Sequence, residues 1–409
     1  MSGPPLGPGM TRVSRRRWRG RRAAATAALG AALLGACLGP AAPALAHGER
    51  SQQAFLRTQT ITFFGVHFST THVSVGDRLS ISGYFYVNRA WPVSLPDPNV
   101  AELSIAAPGA VVLVMDRRIG GEFVPETIKL QKGLTYAFAI ELRARRAGRF
   151  HLHPTIMEKG AGPLIGPGEW IRIDPQRGGG TFTNWVTLTN GKRVNLETYN
   201  TSTNVYWHLL YLIPALLMLG YWLRKPLVQR LALTVTKGVG PEELITRRDV
   251  RFTAAVGALA VILVGASALY ANATWHGIPL QIRDTTPPGQ LGGQQITAQA
   301  MRPARFREAT STLEMTLQVS NSGPAQVTLE SFATGGLQFN PKMLSPVGPL
   351  TLAPGQSKQV TIAFPSRQWN DQDLIPQHEV DTRIGGALLF SGPHQSVQLA
   401  EVIAPVVTS

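Results

Sequence analysis

Two histidines one residue apart, His151 and His153, are the side chains in this 409-residue chain whose spacing points most directly to chemistry. Side chains alternate along a β-strand, so residues i and i+2 leave the same face. Two imidazoles on one face can share a metal ion at about 2 Å from each nitrogen. Chance places roughly 0.2 such pairs in a chain of this composition, and two solvent-facing histidines on an edge strand are the plain alternative.

His47 weighs toward a metal. Arg12, Arg15, Arg16, Arg17, Arg19, Arg21 and Arg22 form a basic stretch, an Ala/Leu run follows, and then comes Ala44-Leu45-Ala46. That is a basic region, an apolar region and an Ala-x-Ala cleavage site, so residues 1–46 read as a signal peptide. Cleavage there makes His47 the first residue. A terminal histidine offers both an amine and an imidazole to one ion. Neutral nitrogen donors suit copper, which tops the affinity order for such sites. His47, His151 and His153 are therefore the candidate metal ligands, and copper the candidate ion. Two alternatives stay open: an uncleaved anchor, or a cut at Cys37, because Leu34-Gly35-Ala36-Cys37 loosely resembles a lipobox.

Cys37 is the sole cysteine, so a chain cut after it has none. That excludes disulfides, thiolate zinc sites, iron–sulfur clusters and a cysteine nucleophile. It also excludes a blue-copper centre and leaves a type-2-like site with nitrogen ligands. The other histidines lack partners at metal spacing. His67 and His72 flank a turn, His208 and His276 sit at the ends of apolar stretches, and His378 and His394 stand alone. Glu49 reads as a surface charge ahead of a carboxylate orienting a ligand, and Gly178 to Gly180 as a flexible turn. The run Arg143, Arg145, Arg146 and Arg149 reads as charge, with Arg143 and Arg145 on a solvated strand face. G-x-S-x-G, the Walker-type phosphate loop and H-E-x-x-H are absent.

The elements that must position these residues follow from charge and hydropathy. Of the net charge of +15, residues 1–46 supply +7 and residues 224–251 a further +4, leaving +4 for the rest. The basicity is a topology signal and gives no support to nucleic-acid binding. Residues 205–223 and 252–275 carry no formal charge, and each is long enough to cross a bilayer core of ~30 Å. Tyr206, Trp207, Tyr221, Trp222, Tyr270 and Trp275 mark their ends, as an interfacial belt requires. The basic loop 224–251 between them is then cytoplasmic, which puts the segments before and after it on the opposite side.

Both of those segments read as β. Leu79 to Val87 alternates, Val111 to Met115 and Tyr136 to Ile140 look like buried strands, and turn residues separate them. Leu313 to Val319 and Val360 to Phe364 repeat the pattern. The expectation is two antiparallel sandwiches, over 47–200 and 278–409, on the extracytoplasmic side of a two-span membrane protein.

The stretch His47-Gly48-Glu49-Arg50-Ser51-Gln52-Gln53-Ala54-Phe55, directly after a signal peptide, resembles the mature start of the B-subunit of the copper membrane monooxygenases. These are the particulate methane, ammonia and short-chain hydrocarbon monooxygenases. Further matches are Val73-Ser74-Val75, Ser80-Ile81-Ser82-Gly83, Trp91-Pro92 and Ala144-Arg145-Arg146-Ala147-Gly148. The strongest run goes from His151-Leu152-His153 through Gly162-Pro163-Leu164-Ile165-Gly166-Pro167-Gly168-Glu169-Trp170. The resemblance covers the whole mature chain and is densest over 47–225. It implies two cupredoxin-like domains joined by two transmembrane helices, and copper on His47, His151 and His153. It implies partner subunits A and C in a trimer of three-subunit protomers. It also implies oxidation of a small apolar substrate or ammonia by O2, with electrons from quinol.

One departure matters. Methane-oxidising members carry a further histidine pair where this chain has Thr62 and Tyr86. A second metal site and a methane-specific assignment both lose support there, and the composition hints at a gaseous alkane or alkene. Two other readings remain at this point: a copper-handling module without enzymatic activity, and a scaffold for partner subunits.

Overall fold

The structure is a computed structural model. It describes residues 52–124, 127–188, 190–225, 231–232, 235–238, 240, 244–274, 287–291, 295–376, 382–393 and 396–409. The chain is mainly β with two long apolar helices.

A short helix, α1 (Ala54–Gln59), leads into the strands of the first sandwich. These are β1 (Ile61–Phe68), β2 (His72–Ser74), β3 (Arg78–Val87), β4 (Ala101–Ala106), β5 (Val112–Ile119), β6 (Glu122–Phe123), β7 (Thr127–Ile128), β8 (Leu134–Ala144), β9 (Gly148–Glu158), β10 (Gly162–Ile165) and β11 (Glu169–Asp174). A small ribbon, β12 (Trp185–Thr187) with β13 (Arg193–Asn195), follows. One sheet runs β1-β3-β8-β5-β6, and β14 (Gln290–Leu291) adds to it beside β8. The other runs β2-β11-β9-β4-β7, with β10 also on β9. All pairs are antiparallel except β2 with β11.

Alternation explains the packing. On β8, Tyr136, Phe138, Ile140, Leu142 and Ala144 face inward at period two, and Ile81 and Phe85 of β3 do the same. They meet Leu103, Leu152, Ile156 and Ile171 of the opposite sheet in one core. Phe63, Phe85 and Phe138 interlock with ring centroids about 6 Å apart.

Two helices follow, α2 (Thr201–Leu223) and α3 (Arg247–Thr274), each beginning several residues before the apolar stretch read from the sequence. Trp207 meets Tyr270, Tyr211 bonds Ser267, and Tyr221 stacks on Phe252 at 3.9 Å, so the pair is an antiparallel hairpin. The remaining surface is apolar and exposed, the state of helices awaiting lipid or other helices. At the loop end Asp249 is buried. Its carboxylate accepts from Lys225 Nζ, from Tyr221 OH at 2.5 Å and from the Thr246 N–H and Oγ1 at 2.9 Å.

The last part is a single ten-stranded sheet folded over its own core. Its strands are β15 (Ile296–Ala300), β16 (Ala304–Arg307), β17 (Thr312–Asn321), β18 (Val327–Thr334), β19 (Leu337–Phe339), β20 (Lys342–Ser345), β21 (Thr351–Leu352), β22 (Ser357–Pro365), β23 (Arg383–Ser391) and β24 (Val397–Thr408). Parallel pairing of β16 with β24 joins its halves. Trp369, on a one-turn helix α4 (Gln368–Asp371), stacks on Phe339 at 3.7 Å and donates from Nε1 to the Phe364 carbonyl.

The two sandwiches share a small apolar seam of Phe64, Tyr86, Ala333, Ala387, Leu389 and Leu399. The Arg57 guanidinium of α1 crosses it, donating to the carbonyls of Gln372 and Gly335 at 2.7 and 3.2 Å.

Candidate metal centre

Strand β9 carries both His151 and His153. Its inward face (Leu152, Pro154, Ile156, Glu158) is buried throughout. Its outward face begins exposed at Arg149 and closes over at His153 and Thr155. The reason lies in the neighbouring strand. β10 pairs with residues 155–158 and β11 with 148–152. The link between them, Gly166-Pro167-Gly168, breaks the ladder opposite His153, and the Gly166 N–H returns to the Pro154 carbonyl at 2.8 Å.

The link fits around the ring. A Cβ on Gly168 would lie 2.2 Å from Cε1 and 2.4 Å from Nδ1 of His153, so only glycine leaves the ring its space. His153 Nδ1 sits 2.8 Å from the Gly166 carbonyl oxygen. That oxygen only accepts, so Nδ1 carries the hydrogen and Nε2 presents a lone pair. A backbone carbonyl holding the far nitrogen is the usual arrangement behind a metal-bound imidazole.

His153 Nε2 faces His151 Nδ1 at 2.9 Å, with the rings nearly perpendicular. Two nitrogens bound at about 2 Å and at a right angle on one ion lie about 2.8 Å apart. The donor pair therefore fits a copper-type ion, and the chemistry of neutral imidazoles suits it. Among the described residues no group of three or more His, Cys, Asp and Glu gathers around one point. His47, the third candidate, lies outside the described residues, as do Glu49, His276, His378 and His394.

Trp170 of β11 is the direct cross-strand partner of His151. Its ring stacks on the imidazole at 4.9 Å and 22°. The Arg149 guanidinium lies over the indole of that stack, 4.9 Å from the Trp170 centroid.

The other sequence candidates settle elsewhere. His67 is on the exposed end of β1. His72 pairs with Asp174 at 2.6 Å across the parallel β2–β11 contact. The hydrogen bond from His72, then that from Arg172, holds the Asp174 carboxyl below its ordinary range. That pairing is not readable locally, because it depends on register between strands a hundred residues apart. His208 lies against the Asn204 carbonyl on α2. Arg143 and Arg145 correct an expectation, since neither sits on a solvated face. Arg143 donates to the Gly76 carbonyl and covers Phe182, and Arg145 forks onto Glu197 at 2.6 and 2.9 Å. The segment 176–197 folds back over the strand and turns two surface charges into anchors.

Thr62 and Tyr86 prove to be direct cross-strand partners on β1 and β3, both buried. Thr62 Oγ1 donates to Asn88 Oδ1 at 3.2 Å. The Tyr86 hydroxyl donates to Glu401 of β24 at 2.7 Å, and Glu401 also accepts from the Arg89 and Ala90 N–H groups. Burial, reinforced by the carboxylate, pushes the Tyr86 hydroxyl pKa far up, so it remains a donor. Tyr86 thus ties the first sandwich to the second, while Thr62 bonds within the first.

Two sandwiches, a pair of helices long and apolar enough to cross a membrane, and two facing imidazoles in a glycine cradle define a mainly β protein with two apolar helices. The chain belongs to the monooxygenase B-subunit family, whose sequence profile matches residues 48–409. It is similar to the particulate methane monooxygenase alpha subunit of Methylococcus capsulatus (strain Bath), at 30% identity over 389 residues, 90% of this chain and 92% of the relative. A solved cupredoxin domain of amoB from Nitrosocaldus yellowstonii aligns over 29% of this chain and 90% of its own length, at 16% identity and a TM-score of 0.24. A superposition that loose carries no weight for the fold.

Proposed function

We propose that this chain is the copper-binding subunit of a membrane-bound monooxygenase complex, acting with membrane subunits A and C in a trimer of three-subunit protomers. The observation that carries the reading is the 2.9 Å approach of His151 Nδ1 and His153 Nε2 inside the Gly166–Gly168 cradle. His151, His153 and an N-terminal His47 would hold the ion. The tether favours this. Five residue steps of at most ~3.6 Å each lead from His47 to Gln52, and Gln52 donates to the Pro163 carbonyl, close in sequence to the cradle. Bound copper supplies one-electron redox chemistry and affinity for O2. The chain's own groups then have defined tasks. Gly166 keeps the hydrogen on the far nitrogen of His153, Gly168 keeps the ring's space, and the buried wall of β9 keeps water from its back.

In this reading the substrate is a small apolar molecule, a short-chain alkane or alkene or methane, or else ammonia, and quinol supplies electrons to the complex. Both sandwiches are extracytoplasmic and cupredoxin-like, and the basic loop is cytoplasmic by the positive-inside rule. Thr62 and Tyr86 argue for one metal site in the first sandwich, since both side chains are already bonded.

The test is copper content. The purified full chain should bind copper, and the His151→Ala/His153→Ala double variant should lose it. Unchanged copper in the folded double variant would remove the assignment.

A further inference from the structure

We infer that Trp170, clamped by Arg149, is a positioning residue that sets the plane of His151 and so the geometry of the ion it shares with His153. The inference deepens the copper reading and rests on it. The two histidines are fixed by different means. His153 is buried and tied through Nδ1 to a backbone carbonyl. His151 is only half-buried, and its ring lies against the indole of Trp170 at 4.9 Å and 22°.

The indole is itself 42% exposed, too open for core packing to explain a large aromatic there. A single apolar face would leave it free to rotate about two side-chain torsions. The Arg149 guanidinium over its ring stops that, and a cation over an indole is favourable at an exposed site. The register makes the arrangement specific. Trp170 pairs directly with His151, and Arg172 with Arg149, so the clamp comes from the same two strands that carry the ligand. Arg149, His151 and His153 share one face of β9 by alternation. The result is a stack of guanidinium, indole and imidazole ending on a candidate ligand nitrogen. Losing a group that fixes a ligand's ring orientation typically costs about ten- to a hundred-fold in metal affinity.

The experiment uses the full chain in detergent, loaded with one equivalent of Cu(II). Electron paramagnetic resonance reads the geometry, a competing chelator reads affinity, and circular dichroism checks the fold. Trp170→Ala should bind roughly ten-fold more weakly and give a shifted or broadened spectrum with the fold intact. Trp170→Phe should restore the wild-type spectrum, because a phenyl ring can stack in the indole's place. Arg149→Met should fall between. A Trp170→Ala spectrum and affinity equal to wild type would overturn the inference while leaving the copper site standing. Wild-type copper content in His151→Ala and His153→Ala would instead remove the site, and the inference with it.

Discussion

His153 is held at both ring nitrogens, one by the Gly166 carbonyl and one facing His151. Among single residues the decisive neighbour is one with no side chain. Replacing Gly168 by Ala would put a methyl within 2.2–2.6 Å of three ring atoms, closer than any real contact allows. We expect Gly168→Ala to keep the fold and to weaken copper binding by about ten-fold or more; a chelator competition assay reads this directly. Glu158 gives a second prediction of this kind. It is buried on the inner face of β9, with Oε2 accepting from the Ala161 N–H and Oε1 without a hydrogen-bond partner among the described residues. Burial raises its pKa above the ordinary 4.5, against the smaller pull of the Ala161 N–H. The native state therefore holds this proton more tightly than the unfolded chain. Its contribution to stability is present below the ordinary pKa and is lost as pH rises through the native value. Glu158→Gln should raise the melting temperature at neutral pH, with the difference from wild type shrinking on acidification. A difference that grows in acid would show the opposite shift.

For the strands and helices, the spacing of His151 and His153 is enough to place both rings on one strand face, because alternation is local and has period two. What makes the site is not legible locally. The break between β10 and β11, and the register that sets Trp170 beside His151, are long-range pairings. Arg143 and Arg145 show the same limit, since only the folded-back 176–197 segment turns them from surface charges into anchors. The helices are readable from apolar length, though their starts at Thr201 and Arg247 precede the apolar stretches that begin at 205 and 252. A charged first turn with Asp249 is compatible with a helix N-terminus, where a carboxylate complements the dipole. Asp249 also links the two helices through Lys225 and Tyr221. Asp249→Asn leaves Lys225 without its counter-ion, so the hairpin should open at that end. Several-fold faster tryptic cleavage within 224–251 of the detergent-solubilised chain is the expected readout, and an unchanged cleavage rate would refute the clamp.

Across the full chain, the two sandwiches are coupled by polar contacts as well as by the apolar seam. Tyr86 and Glu401 are 315 residues apart in sequence, and the Arg57 to Gly335 bond spans 278. No local pattern announces either. The Gly336 turn of the second sandwich also packs against the backbone of Ile165 and Gly166, so the cradle of His153 is backed by the other half of the protein. Tyr86→Phe removes the buried hydroxyl that donates to the half-buried Glu401 carboxylate. It should cost about 1.5–3 kcal/mol, seen as a lower denaturation midpoint, with copper content unchanged because the histidine pair does not depend on that bond.

Whether His151 and His153 coordinate one copper ion is decided by pulsed electron paramagnetic resonance of the Cu(II)-loaded full chain, which counts the imidazoles bound to the metal. At least two coordinated imidazoles are expected, and three where cleavage has made His47 the first residue. The His151→Ala/His153→Ala variant should lose two of them. Imidazole couplings that are identical in the wild type and the double variant would rule out the shared site.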